Sequence, residues 1–269
     1  MSITNNLHYF EKKILLACER AKRAKEDLTL IAVSKVFPAS CLIEAYQAGA
    51  RDFGENYVQE FESKWPEVKD LPDARFHFIG HLQSNKARRA TEIFHCIQTV
   101  DSLKLAQRLN EGPHPLDIFL EVKLSGEASK AGVEPEDLPA LIAGVRTLPN
   151  LNLRGLMTMP PWSEDPEAAR PYFVRLRELA GQHGLRELSM GMSQDFEVAI
   201  ENNVLMINGN RSDFNERRAY HQMEIRFGKF EIAVEIPVPV EIESSVAEYK
   251  DGFLMVQLPK ASPKHIEVE

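Results

Sequence analysis

The sequence predicts an α/β body of the (β/α)-barrel type, with its eighth unit incomplete or substituted, followed by an all-β module. Three observations carry this. Seven short apolar runs alternate with amphipathic segments between residues 28 and 202, which is the pattern of parallel strands joined by right-handed crossovers. After about residue 203 the helical pattern stops and β-patterned stretches take over. The length, 269 residues, suits one barrel-sized body plus a small module.

The elements follow in order. Leu7, Phe10, Ile14, Leu15 and Cys18 stand at helical spacing over residues 4–26. "LTLIAVSK" (28–35) is a continuous β-branched run, as expected of a strand buried on both faces. "ASCLIEAYQAGA" follows as a helix with Gly49 near its stop. The strand-like "DFGEN", "RFHFIG", "CIQTVD", "DIFLEVKL", "LRGLMTM" and "ELSMGMS" each precede a helical segment, from "YVQEFESKWPEV" to "QDFEVAIEN". One more unit would complete an eight-stranded barrel. Instead come "VLMINGN", "AYHQMEIRF", "KFEIAVEIP" and "SVAEYKDGFLMVQLP". "FEIAVEI" alternates on a period of two, and Asp251-Gly252 between the last two runs signals a hairpin. The expected domains are residues 1–200 and 201–269.

Composition excludes several classes. At 43% hydrophobic and 27% charged the chain can bury a core. A formal net charge of −8 argues against nucleic acid as a partner. Three cysteines, Cys18, Cys41 and Cys96, lack any CxxC spacing, which points to a reducing compartment and no metal centre. No signal-peptide core or membrane-length apolar run is present, so the expected location is the cytoplasm and no membrane partner is expected.

Strand ends carry the chemistry, because barrel sites are built where the parallel strands finish. "IAVSK" finishes in Lys35, whose primary amine can form a Schiff base when its surroundings favour the neutral form. Alone, such a lysine is more often a surface residue. Its company changes the reading. Glu55 and Asn56 end the second unit's strand, Gly80, His81 and Gln83 the third, and "SMGMSQD" the seventh. There Gly191 permits close backbone approach, and Ser193 is expected to cap the helix whose amides would cradle a phosphate. A strand-end lysine facing a phosphate cradle suits pyridoxal 5'-phosphate (PLP). Lys86, Arg88 and Arg89 read as a solvated helix face or an accessory phosphate patch. His77 and His81 lack a third ligand for a metal site. Met157, Met159, Met190 and Met192 are expected to fill the barrel core.

The motifs "AVSK", "FGENYVQE", "HFIGHLQSNK", "LRGLMTM" and "LSMGMSQD" closely resemble the YggS/PROSC family of PLP homeostasis proteins over about residues 5–200. The resemblance implies an alanine-racemase-like barrel. Lys35 would be the Schiff-base lysine and Asn56 a residue beside the cofactor ring. Gly191, Met192 and Ser193 would hold the phosphate. It also implies a carrier that delivers PLP to acceptor apoenzymes without efficient turnover, since the second domain of the racemases is missing. From about Phe196 onward, "VAIENNVLMINGNR", "RFGKFEIAVEIP", "AEYKDGFLMVQLPK" and a terminal "IEV" resemble the small heat-shock (α-crystallin) family. That implies self-association through strand addition and the tail, and a chaperone-like oligomer with an inert barrel is the alternative function. "DFEVAI" satisfies both patterns, so the chain reads as a join of two families. The barrel family's eighth-strand Arg-x-Gly-Thr is absent. Residues 204–208 are expected to substitute for that strand, with Ile207 or Asn208 where the arginine would stand and a charge-assisted phosphate contact missing.

Overall fold

The computed structural model describes residues 2–126, 131–201, 204–211, 228–235, 245–250 and 253–259. Two compact units divide the chain, Met1–Asn202 and Asn203–Glu269.

In the first unit a helix, α1 (Ile3–Ala21), precedes seven strand–helix steps. Ser2 caps it by accepting the Asn5 amide, and Lys22 ends it in the left-handed region. The strands are β1 (Ile31–Val33), β2 (Asp52–Glu55), β3 (Arg75–Phe78), β4 (Cys96–Val100), β5 (Leu116–Glu121), β6 (Leu151–Met157) and β7 (Glu187–Ser189). The helices between and after them are α2 (Ala39–Gln47), α3 (Val58–Val68), α4 (Ala87–Ile93), α5 (Leu103–Asn110), α6 (Leu138–Val145), α7 (Arg170–Gln182) and α8 (Phe196–Ile200). All seven strands are parallel and lie in sequence order in one sheet. Parallel order without a skip places every strand end on one side, which is what assembles a site.

The sheet curls. Ser189 Oγ of β7 donates to Gln98 Oε1 of β4 across 2.7 Å, although three strand steps separate them in the sheet. Gln98 Nε2 in turn donates to His77 Nδ1 (3.0 Å), which leaves Nε2–H of that ring to donate to Asp52 Oδ1 (2.9 Å). His77 thus belongs to an interior hydrogen-bond chain. Phe53, Phe61, Phe76 and Phe78, all under 2% exposed, fill the layer between strands and helices. Gly155 on β6 lies so close to the Glu187 carbonyl of β7 that a Cβ would collide with it.

At the ends of the sheet order, among the described residues, β1 pairs only with β2 and β7 only with β6. Helices tie these ends instead. Phe10 of α1 meets Phe196 of α8 edge-on at 5.7 Å. Lys13 and Arg20 pair with Glu197 at 2.8 Å each, and Arg20 reaches the buried Glu201 at 2.5 Å.

Two expectations for this unit change. The first strand is shorter than residues 28–35, and Leu30 and Val33 are 40% and 46% exposed. Among the described residues, β1 pairs along one edge only, with β2. Of the four methionines expected in the core, only Met157 is buried, Met190 is half-buried, and Met159 and Met192 are exposed. The last two follow the strand ends and stand on the rim.

In the second unit, β8 (Val204–Arg211) pairs antiparallel along its whole length with β9 (Gly228–Glu235). β10 (Val246–Lys250) pairs antiparallel with β11 (Phe253–Gln257). Residues 204–208, expected to close the barrel as an eighth strand, lie in the second unit and pair with β9, which occupies one edge of the segment along its whole length. The strand expected over 219–227, Asp251-Gly252 and the "IEV" tail lie outside the described residues.

Candidate functional site

Each strand of the first unit releases a polar residue at its carboxyl end. Lys35 follows β1, Asn56 follows β2, and Gly80 and His81 follow β3. Thr99 lies near the end of β4, Glu121 ends β5, Thr158 and Met159 follow β6, and Gly191, Met192 and Ser193 follow β7. The predicted residues thus share one rim.

Lys35 lies two residues beyond β1, in a turn rather than on the strand. Among the described residues its exposed Nζ has no hydrogen-bond or ion-pair partner, so the amine is open to a reagent. The turn closes with the Phe37 amide donating to the Ser34 carbonyl (3.2 Å). Val36 sits in the left-handed region at φ 61°, a strained conformation for a β-branched residue.

A buried ionic cluster holds this turn from both sides. Lys64 of α3 is 5% exposed and Glu55 is fully buried. Lys64 Nζ donates to the Ser34 carbonyl (2.9 Å), to Glu55 Oε1 (2.8 Å) and to Glu60 Oε1 (2.6 Å). Glu55 Oε1 also accepts from Ser34 Oγ (2.8 Å), and Glu60 Oε1 accepts the Val36 amide (2.6 Å). Residues 34 and 36 are both fastened, and Lys35 projects between them. Burial pushes the Glu55 carboxyl above its ordinary range, against the pull of Lys64 and Ser34. For Glu60, burial also pushes upward, but the bonds from Lys64 and Val36 outweigh it and the net shift is downward.

Asn56 is half-buried, and its Oδ1 is fully enclosed without a partner. Gly80 packs against the Asn56 backbone so closely that any Cβ there would overlap the Asn56 carbonyl. This contact fixes where Asn56 stands.

The loop after β7 differs from expectation. Ser193 is exposed and does not cap α8; Asp195 occupies that position. Asp195 Oδ1 accepts the Met192 amide at 2.5 Å, so this N–H is not free for a phosphate. Gly191 adopts φ 87°, and a Cβ there would lie 2.9 Å from the Ala199 Cβ and 3.0 Å from the Phe196 Cα. Glycine is required at that position.

Sequence reasoning missed Ser34, Glu60 and Lys64. One signal was present: Phe61, Lys64 and Val68 lie at core-facing helical spacing in α3, so a lysine falls on the buried stripe. It also missed Glu121. This carboxyl is 7% exposed, and burial, with a smaller push from Asp101, raises it to about 7. Burial likewise pushes the Cys96 thiol up to about 12, so Cys96 acts as interior filling. Among the described residues no group of His, Cys, Asp or Glu could hold a metal ion, and no helix is long and apolar enough to cross a membrane.

The model of the alanine racemase N-terminal domain family matches residues 17–207, and that of the Hsp20/alpha crystallin family matches residues 187–269. The two matches overlap from 187 to 207, across β7, α8 and the start of β8. The pyridoxal phosphate homeostasis protein of Pseudomonas aeruginosa is 49% identical over 205 residues, covering 74% of this chain and 89% of that protein. The protein of the same name from Aquifex aeolicus is 40% identical over 228 residues, covering 81% and 100%. The solved structure of PipY from Synechococcus elongatus without PLP is 38% identical with a TM-score of 0.66, covering 74% of this chain and 94% of that one. PipY with PLP bound is 39% identical with a TM-score of 0.60, covering 69% and 93%. Alanine racemase from Bacillus anthracis, at 14% identity and a TM-score of 0.51, shares the fold. Through its first 207 residues the chain belongs to the family of pyridoxal phosphate homeostasis proteins, with an Hsp20-like segment joined where the two patterns coincide.

Proposed function

We propose that the barrel unit binds PLP covalently through Lys35 and acts in the cytoplasm as a carrier that passes it to acceptor apoenzymes. The observation that carries this reading is the open Lys35 amine on a turn fastened at residues 34 and 36 by the Lys64 cluster. The PLP-bound structure of a 39% identical relative supports it. PLP would supply an aldehyde able to condense with a primary amine such as that of Lys35. Asn56 would stand beside the ring. Gly191 would let the backbone approach the phosphate and the exposed Ser193 hydroxyl would be available to it, while the Met192 amide stays with Asp195.

Incubation with PLP, borohydride reduction and peptide mapping by mass spectrometry tests the reading. Adduct is expected to concentrate on Lys35 and to disappear in Lys35→Ala. Adduct spread evenly over surface lysines would refute it.

In the C-terminal unit, the described residues form two two-stranded sheets, and these support a second reading. Two-stranded sheets are marginal alone, and Val246 and Met255 are each 58% exposed. Strand addition between copies would pair those edges, as the Hsp20 match supports. A chain ending before Lys264 is expected to sediment as a smaller species than the full chain. Equal sedimentation would remove the tail from the interface.

A further inference from the structure

The turn that carries Lys35 favours glycine at a position where the sequence has valine. The Phe37 amide closes the turn onto the Ser34 carbonyl (3.2 Å), so Lys35 and Val36 are its two central residues. Val36 has φ 61°, and Lys35 is not among the positive-φ residues, which is the pattern of a type II turn. Glycine or asparagine is usual at the second central position of such a turn, and a β-branched residue there is strained. Side-chain packing does not hold it, since Val36 is 78% exposed.

A backbone contact does. The peptide plane between the two central residues has two orientations. Turns of type I and type II differ mainly by turning it over, with ψ of the first central residue changing by about 150°. The Val36 N–H belongs to that plane and donates to Glu60 Oε1 (2.6 Å), in the first turn of α3. Turned over, the plane would aim the Lys35 carbonyl at this carboxylate, acceptor against acceptor. Glu60 is itself held, because Lys64 Nζ donates to the same oxygen (2.6 Å) and to the Ser34 carbonyl (2.9 Å). The torsion selected by this contact is ψ of Lys35, and backbone torsions limit the rotamers open to a side chain.

We propose that Glu60 is a positioning residue for Lys35. Its carboxylate selects the type II orientation of the 35–36 peptide, and with it the direction in which the lysine amine leaves the turn. The proposal rests on the reading of Lys35 as the residue that PLP modifies. Glu60 acts through the backbone of Val36, so its effect is separable from cofactor binding.

Two measurements on the full chain test this. Lys-Val occurs once in the sequence, so labelling lysine carbonyl carbon and valine nitrogen isolates the Val36 amide as one NMR signal without cofactor. That amide is expected to exchange slowly with solvent despite the exposure of its residue, and on the order of tenfold faster or more in Glu60→Ala. Glu60→Gln, whose side-chain carbonyl can still accept, is expected to stay close to the unaltered protein. The second measurement adds PLP, traps with borohydride at timed intervals and maps the adduct on Lys35. Its rate is expected to fall on the order of tenfold in Glu60→Ala and to be largely kept in Glu60→Gln. It is expected to recover when Glu60→Ala is combined with Val36→Gly, because glycine reaches positive φ without strain. A Val36 amide that exchanges freely in the unaltered protein, trapping unchanged in Glu60→Ala, Glu60→Gln as slow as Glu60→Ala, or no recovery with Val36→Gly would each overturn the proposal. Absence of adduct on Lys35 in the unaltered protein would instead overturn the PLP reading on which it rests.

Discussion

Replacing Lys64 by methionine is expected to lower the unfolding free energy of the barrel unit by about 3–5 kcal/mol. The side chain is 5% exposed and donates to three acceptors at once. Its loss strands a fully buried Glu55, a partly buried Glu60 and the Ser34 carbonyl. One buried cation removed leaves two carboxylates facing each other, the arrangement that makes breaking such a cluster worse than never having it. Lys64→Met with Glu55→Gln is therefore expected to recover much of the loss, because the amide can still accept from Ser34 and carries no charge. Trp65, adjacent in sequence and stacked edge-on against Phe61 and Phe76, reports the unfolding of this unit by its fluorescence, whatever the β unit does. The same substitution is expected to reduce the share of reduced PLP adduct found on Lys35, since the turn loses its tether at Ser34. A stability loss below about 1 kcal/mol, the scale of an exposed pair, would mean that the cluster is solvated in solution and does not hold the turn.

How much of this was legible beforehand depended on whether the information is local. Strand ends were legible. A parallel sheet in sequence order brings every carboxyl end to one rim, so Lys35, Asn56, Gly80 and Gly191 could be gathered from their positions in the alternation alone. The fate of residues 204–211 was not. "VLMINGN" is an apolar, strand-forming run that fits either a parallel partner in a barrel or an antiparallel one in a hairpin-like pair. Periodicity identifies a strand without naming its partner, and β9 supplied a full-length one. Val33 is exposed because face burial depends on what packs over a strand, which a continuous apolar run does not name. Ser193 is not the cap because the helix starts two residues later than expected, at Phe196 behind Asp195, whose side chain turns back to the Met192 amide. Lys64 was visible in principle, as a cation on a buried helical stripe. Glu121 was invisible, because only the fold shows how deeply its carboxyl is enclosed and how near Asp101 stands to it.

Glu121→Gln is expected to make the barrel unit more stable than the unaltered protein at pH 8, by up to about 3 kcal/mol, with the gain vanishing near pH 4.5. The Glu121 carboxyl titrates at about 7 in the folded protein against an ordinary value of 4.5, and each pH unit of such a shift is worth about 1.4 kcal/mol. Below pH 4.5 both states carry the proton and the residue imposes no pH-linked cost. Between 4.5 and 7 the folded form still holds the proton that the unfolded chain has released, so stability falls as pH rises. Above 7 the folded carboxyl is ionised in an enclosed site and the cost is complete. Glu55, also raised, adds a slope of the same sign, so the measurement is the difference between the two proteins across pH rather than either curve alone. Chemical denaturation at pH 5, 6, 7 and 8 gives that difference. Parallel curves would show that Glu121 ionises freely, through solvent or a donor in solution.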